Sequence, residues 1–326
     1  MCAIFGLIDY GKVLTPKHRM KLLSVLSREC EVRGTDATGF AYNSRGRMII
    51  YKRPYSAHKM HLSLPRDANV IMGHTRMTTQ GNQQFNYNNH PFSGYAGITF
   101  ALAHNGVIYN DNLIQSQHKF HDTNIETDSY VAVQLIEEQK KLSFDSLKYM
   151  AEQVRGSFMF TLLDNDNNMY FVRGDNPIAM YKFNGFYVYA STHEILDSAM
   201  HKLGLDEFPY ENIRIIGGDI MKISADGEID KSFFEYYDDL WDYYGARGFY
   251  PLRNTTNKEN TTRHNQVIDY ARAMGFDENE VELLIDYGFD YDEIEELLYD
   301  PLTFADVISD ILGYSEDDEL CSAFCS

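Results

Sequence analysis

Up to about residue 225 the chain interleaves short apolar runs with stretches whose apolar residues recur at helical spacing. The run over 2–8 is apolar and stops at the turn Asp9-Tyr10-Gly11. Pro16 opens a helix predicted over 16–28, with Met20, Leu23 and Leu26 on one face. Apolar runs over 48–51, 70–73 and 98–103 predict strands, and the patterns over 128–138 and 144–154 predict helices. Four more strands are expected in quick succession, over 157–163, 169–172, 180–183 and 186–190. Asn184-Gly185, between the last two, is a hairpin signal. Strands interleaved with helices in this way predict an α+β domain of sheets covered by helices.

The pattern changes after about residue 240. Residues 241–262 are rich in Gly, Asn, Thr and Tyr without clear periodicity and read as a linker or strap. A short repeat comes next, opening at Gly275-Phe276-Asp277 and again at Gly288-Phe289-Asp290. Each copy places a Glu (Glu280, Glu293) three residues after its Asp, which is capping-box spacing. With the segment 266–274, the repeat predicts three short helices, an acidic helical module over 263–326. Its Met274-Gly275-Phe276 turn is similar to that of ubiquitin-associated-type modules, and the competing reading is a solvated acidic cap. The expected organisation is therefore 1–240, 241–262 and 263–326.

Charge follows the same division. The chain holds 29 Lys plus Arg against 48 Asp plus Glu, a net charge of −19. Between Trp241 and Ser326 there are 20 acids and 5 bases, so the tail carries −15 and the first 240 residues only −4. This balance excludes a general nucleic-acid binder, whose footprint is a basic face. A hydrophobic content of 44% excludes a wholly disordered chain. Four cysteines, Cys2, Cys30, Cys321 and Cys325, do not make a disulfide framework in a chain of 326 residues. Cys30 reads as core, and Cys321 and Cys325 as free thiols, two ligands being too few for a zinc site. With no apolar run long enough to span a membrane, the expectation is a soluble, cytoplasmic protein without metal or cofactor.

The chemistry begins at Cys2. Removing Met1 would put a thiol and a free α-amine on one residue. An α-amine has an ordinary pKa of roughly 7.7–8.0, so near neutrality part of it is unprotonated and can take the thiol proton. A cysteine at this position is by itself equally consistent with an ordinary buried strand residue. Four further segments change that balance: Arg33-Gly34-Thr35-Asp36, Gly73-His74-Thr75-Arg76 running on to Thr79-Gln80-Gly81, Ala103-His104-Asn105-Gly106 and Glu126-Thr127-Asp128. With the opening Cys2-Ala3-Ile4-Phe5-Gly6, they resemble the class II glutamine amidotransferase domain of N-terminal-nucleophile hydrolases. That domain serves glucosamine-phosphate synthases, amidophosphoribosyltransferases and asparagine synthetases. The resemblance continues through Asn89-His90-Pro91, Gly156-Ser157-Phe158, Tyr189-Ala190-Ser191 and Gly218-Asp219-Ile220, and so covers about two thirds of the chain.

The resemblance implies a four-layer αββα sandwich and a set of roles. Cys2 would be the nucleophile, with its α-amine as base. Asn105 and Gly106 would form the oxyanion hole. Arg76 and Thr79 would hold the α-carboxylate of glutamine, and Asp128 its α-ammonium. Asp128 also opens a predicted helix, so a plain N-cap is the alternative. Arg33 and Asp36 would support the nucleophile, and His74 and His104 read as loop-fixing because the nucleophile carries its own base. Ala3 replaces the usual Gly after the nucleophile, and Met77-Thr78-Thr79-Gln80 replaces the Trp-Ala-Thr-His of glucosamine-phosphate synthases. The tail shows no phosphate-cradling glycine loop and is too short for a familiar ammonia-accepting domain. The expected partner is therefore a synthase on a separate chain, docked through the acidic module. The alternatives are a stand-alone amide hydrolase and a non-catalytic glutamine-sensing or scaffold protein.

Overall fold

All six residues of β1 (Ala3–Ile8) are buried, which requires a strand covered on both faces. Ala3, Phe5 and Leu7 join one core with Leu22, Leu23 and Leu26 of helix α1 (Pro16–Glu29), while Ile4 and Ile8 join another. The structure is a computed structural model, and it describes residues 2–235, 267–272, 275–286, 291–299, 304 and 307–308. The chain divides into two units, Met1–Phe249 and Tyr250–Ser326.

The first unit contains two antiparallel sheets. In the seven-stranded sheet, β1 lies between β4 (Val70–Arg76) and β10 (Phe186–Ala190). Beyond β4 come β2 (Ala37–Ser44) and β3 (Arg47–Arg53); beyond β10 come β9 (Ala179–Phe183) and β11 (Glu211–Asn212). The six-stranded sheet runs β13 (Ile229–Phe233), β12 (Asp219–Ile223), β8 (Met169–Arg173), β7 (Gly156–Asp164), β6 (Thr99–Ile108), β5 (Phe92–Tyr95). Period-two alternation assigns each side chain to a layer. In β7, Phe158, Phe160 and Leu162 face the core that includes α3 (Tyr130–Glu138) and α4 (Phe144–Gln153), while Met159 and Leu163 face the space between the sheets. On the other side, α1 and α5 (His193–Leu203) cover the seven-stranded sheet. The result is the αββα layering.

Local signals set the helix limits. Thr15 accepts from His18 N at 3.2 Å ahead of Pro16, and Ser143 with Ser146 forms a capping box on α4. Asn184-Gly185 makes the β9–β10 hairpin. Missed by the hydrophobic pattern were β2, β5, β11, β12, β13, α5 and the short helix α2 (Asp111–Gln117).

The second unit has helical residues at 267–272, Glu278–Asp286 and Tyr291–Tyr299. Its core joins Val267, Ala271, Val281, Leu284, Ile294 and Leu298, and the ring of Phe276 packs on Phe304 at 4.2 Å. At its first repeat, Glu280 accepts from Asp277 N at 2.9 Å, while Asp277 Oδ1 accepts from Asn279 N at 2.9 Å. The predicted linker 241–262, Asp290, Cys321 and Cys325 lie outside the described residues. Among the described residues no helix is long and apolar enough to cross a membrane.

Candidate active site

Strand register brings the sequence segments together. Ala3 pairs with Thr75, and Ala37 pairs with Arg76. Cys2, one residue before β1, therefore stands at the end of β4 that carries Arg76, and the Arg33–Asp36 loop arrives beside both. Arg33 Nε donates to Cys2 O at 3.0 Å. Asp36 N donates to Arg76 O at 2.9 Å, and its carboxylate accepts from Thr78 N at 2.8 Å. These bonds tie the segment before the nucleophile's strand to the loop after β4. Cys2 Sγ donates to Met77 O at 3.5 Å.

The facing sheet supplies the other wall. At the end of β6, Asn105 pairs with Met159 and Gly106 with Phe158. Gly106 has φ +143°, and a Cβ there would lie 1.9 Å from Ser157 O, so only glycine fits. Asn105 is fully buried; its carbonyl accepts from Asn176 Nδ2 at 3.0 Å, but neither side-chain amide atom has a partner. A buried amide left unpaired costs about 1–3 kcal/mol.

Asp128 corrects one sequence expectation. The helix starts at Tyr130 rather than 128, with Ser129 at its N-cap and no side-chain cap bond. The Asp128 carboxylate instead accepts from Ile108 N at 2.7 Å and from Ser129 Oγ at 3.2 Å. It thereby joins the start of α3 to β6. Cys2, Arg76, Thr79, Gly106, Thr127 and Asp128 line one cleft.

Burial dominates the electrostatics. It pushes the Cys2 thiol up, against opposing pulls from the Met77 bond and Arg76. The thiol is thus held protonated and needs a base to become a nucleophile. Arg76 is buried; its Nη1 donates to Asn89 Oδ1 at 2.7 Å, and Nη2 donates to Gln80 O and, at 3.4 Å, to Gly81 O. Each of these hydrogen-bond acceptors is neutral, and the carboxylates of Asp128 and Asp36 act on the guanidinium only through space.

Three buried histidines adjoin the cleft, and two of them, His90 and His104, line it. His74 Nε2 donates to His104 O at 3.0 Å, and burial lowers its pKa to about 3. His104 Nδ1 bonds Ser129 Oγ at 2.8 Å, and burial lowers it also. His90 stacks between His74 and Phe92, with both ring nitrogens unpartnered and its pKa far below the ordinary value. Neutral imidazoles are the consequence. Lys52, lowered to about 8 by burial and then by Arg76, donates to Asn89 O and to Pro91 O at 2.9 Å.

Sequence reasoning gave no role to Lys52, Ser129 or Asn176, and read Asn89 only as part of a motif. None of the four has a local pattern; each bonds to a residue 13 to 71 positions away.

Residues 74–198 match the glutamine amidotransferase domain family. The chain is 28% identical over 253 residues to glutamine–fructose-6-phosphate aminotransferase (isomerizing) of Listeria innocua, covering 72% of this chain and 40% of that protein. It is 30% identical over 244 residues to the enzyme of the same name from Pyrobaculum aerophilum, covering 70% and 38%. The chain therefore spans about two fifths of the length of these curated relatives. Among solved structures, glutamine phosphoribosylpyrophosphate amidotransferase from B. subtilis superposes with a TM-score of 0.56 at 17% identity, covering 83% of this chain and 58% of that one. The αββα layering and the matched segments agree, and this chain carries a glutamine amidotransferase domain of the class II, N-terminal-nucleophile type.

Proposed function

We propose that this chain hydrolyses the side-chain amide of glutamine with Cys2 as nucleophile and passes the ammonia to a synthase on a separate chain. One observation carries the reading. A half-buried thiol, an unpaired Asn105 amide, an Arg76 hydrogen-bonded to neutral oxygens and a buried Asp128 converge on one end of the sandwich.

In this reading Met1 is removed and the Cys2 α-amine takes the thiol proton. The thiolate attacks the amide carbon, and the developing oxyanion accepts from Asn105 Nδ2 and Gly106 N–H. Collapse breaks the C–N bond, the α-ammonium returns its proton to the leaving nitrogen, and ammonia departs. A γ-glutamyl thioester on Cys2 remains. Water then attacks it, giving glutamate and restoring the thiol. Arg76 and Thr79 hold the α-carboxylate and Asp128 the α-ammonium, which fixes the amide against Sγ. Arg33 and Asp36 hold the backbone on either side of the reacting group.

The separate synthase is supported by the unit C-terminal to the amidotransferase domain, which is small and helical and holds most of the chain's acidity. That unit would dock the partner, and the reaction would run in the cytoplasm, where Cys2 stays reduced.

Glutamate release by wild type and Cys2→Ala tests the chemistry, alongside the mass of the mature N-terminus. The expected result is a loss of at least about 1,000-fold in the variant with unchanged melting. A chain that keeps Met1 and still turns over glutamine would overturn the α-amine mechanism. Proteins co-purified with the full chain, but not after deletion of 241–326, test the docking.

A further inference from the structure

Arg76 has a demanding task in glutamine hydrolysis. A long guanidinium side chain carries about 2 kcal/mol of rotamer entropy, and a useful carboxylate clamp must be ordered before substrate arrives. Pairing it with a resident Asp or Glu would order it but neutralise the charge the substrate needs. Its hydrogen-bond acceptors are neutral oxygens instead, and Asp128 and Asp36 act on it only through space. Two of the oxygens are loop carbonyls, Gln80 O and Gly81 O, from the loop directly after β4. The third, Asn89 Oδ1 at 2.7 Å, comes from a buried residue 13 positions away.

Asn89 is itself held on both sides. Its Nδ2 donates to Gln83 O at 2.8 Å, which fixes the orientation of the amide and leaves Oδ1 for Arg76. Its backbone carbonyl accepts from Lys52 Nζ, which also donates to Pro91 O at 2.9 Å. Lys52 reaches there from β3 across the ring of Phe92, with Nζ 5.1 Å from the ring centroid. A half-buried ammonium donating only to neutral carbonyls is an expensive brace. Burial accordingly lowers its pKa to about 8.

The geometry points to Asn89 as the positioning residue that aims Arg76 at the α-carboxylate of the substrate, with Lys52 locking Asn89 in place. This role presupposes glutamine as substrate and adds two residues to its binding apparatus. Neither touches the substrate; each acts through Arg76.

The test compares Asn89→Ala and Lys52→Met in the full chain on two amides, glutamine and 4-aminobutanamide, which lacks the α-carboxylate. In Asn89→Ala the KM for glutamine should rise about 10- to 100-fold with kcat within about threefold, the signature of lost uniform binding. For 4-aminobutanamide, kcat/KM should change less than about twofold. Lys52→Met should raise the glutamine KM in the same direction by about 3- to 10-fold. In an Arg76→Ala background Asn89→Ala should add nothing, because residues acting through one another are not additive.

Equal losses on both amides, or additive losses with Arg76→Ala, would overturn the role and leave Asn89 merely structural. If Asn89→Ala does not fold, Lys52→Met decides, and an unchanged glutamine KM there overturns the proposal. A wild type that releases no glutamate removes the glutamine reading and this role together. Normal wild-type turnover with an unchanged KM in Asn89→Ala removes this role alone.

Discussion

The same strands build two unlike halves of the layer between the sheets. β4 begins Val70-Ile71-Met72 and ends His74-Thr75-Arg76; β6 carries Phe100, Ala101 and Leu102 after Thr99 and continues through His104-Asn105-Gly106. In the first half Ile8, Val70, Met72, Ala101, Leu163 and Phe171 interlock with no polar side chain among them. In the second, buried groups include the Asn105 amide, both His90 ring nitrogens and Thr127 Oγ1, all without partners. Both halves are buried, but the first is dominated by apolar contacts, with only the Thr161 and Tyr189 hydroxyls beside Phe171, while the second gathers the polar ends of the strands. The difference teaches where this molecule keeps stability and where it keeps chemistry.

The largest effect should come from damaging the apolar half. Phe171 is fully buried and meets Tyr189 edge-on at 4.9 Å. Phe171→Ala should cost about 3–5 kcal/mol in chemical denaturation while kcat well below the melting temperature stays within about threefold. Comparable kinetic and stability losses would show that the two halves are not separable.

Asn105→Ala should do the reverse. It removes an oxyanion donor, so kcat for glutamine should fall about 100- to 1,000-fold. It also removes an unpaired buried amide, so denaturation midpoints should hold or rise. A kcat within tenfold of wild type would take Asn105 out of the oxyanion hole.

Acid should weaken the polar half selectively. His74, held near 3 when folded, regains an ordinary value near 6.5 when unfolded, so between those pH values the unfolded chain binds the extra proton. Stability is therefore fully present above about pH 6.5 and falls with acidification by about 1.4 kcal/mol per pH unit for this histidine, with His90 and His104 adding in the same direction. Melting followed from pH 7 to pH 4 checks the slope. His74→Gln, which keeps a donor for His104 O, should make it shallower.

Much of this site was legible because strand and chemistry change together along short segments. His74 to Arg76 and His104 to Gly106 stand out as polar ends on apolar strands, and Cys2 precedes a wholly buried one. Less could be read where the bonding is long-range. Asp128 reads as a substrate residue with a helix cap as the alternative, because a carboxylate at the start of an amphipathic run is often a cap. Its partner is Ile108 N, 20 residues earlier, and no local pattern announces that bond. Exposed edge strands such as β13 escaped for the opposite reason: with one side in solvent, their apolar content is too thin to register.

The amino-acid sequence alone established many of the buried strands and helices, the residues with chemistry to offer, and the separation of a near-neutral domain from an acidic tail. These are local properties, set by periodicity, capping and side-chain type. Tertiary structure assigned the partners: Cys2 to the end of β4, Asp128 to β6, and Asn89 with Lys52 to Arg76. Those assignments depend on strand register and on which buried polar groups meet, and both are settled only when distant segments pack together.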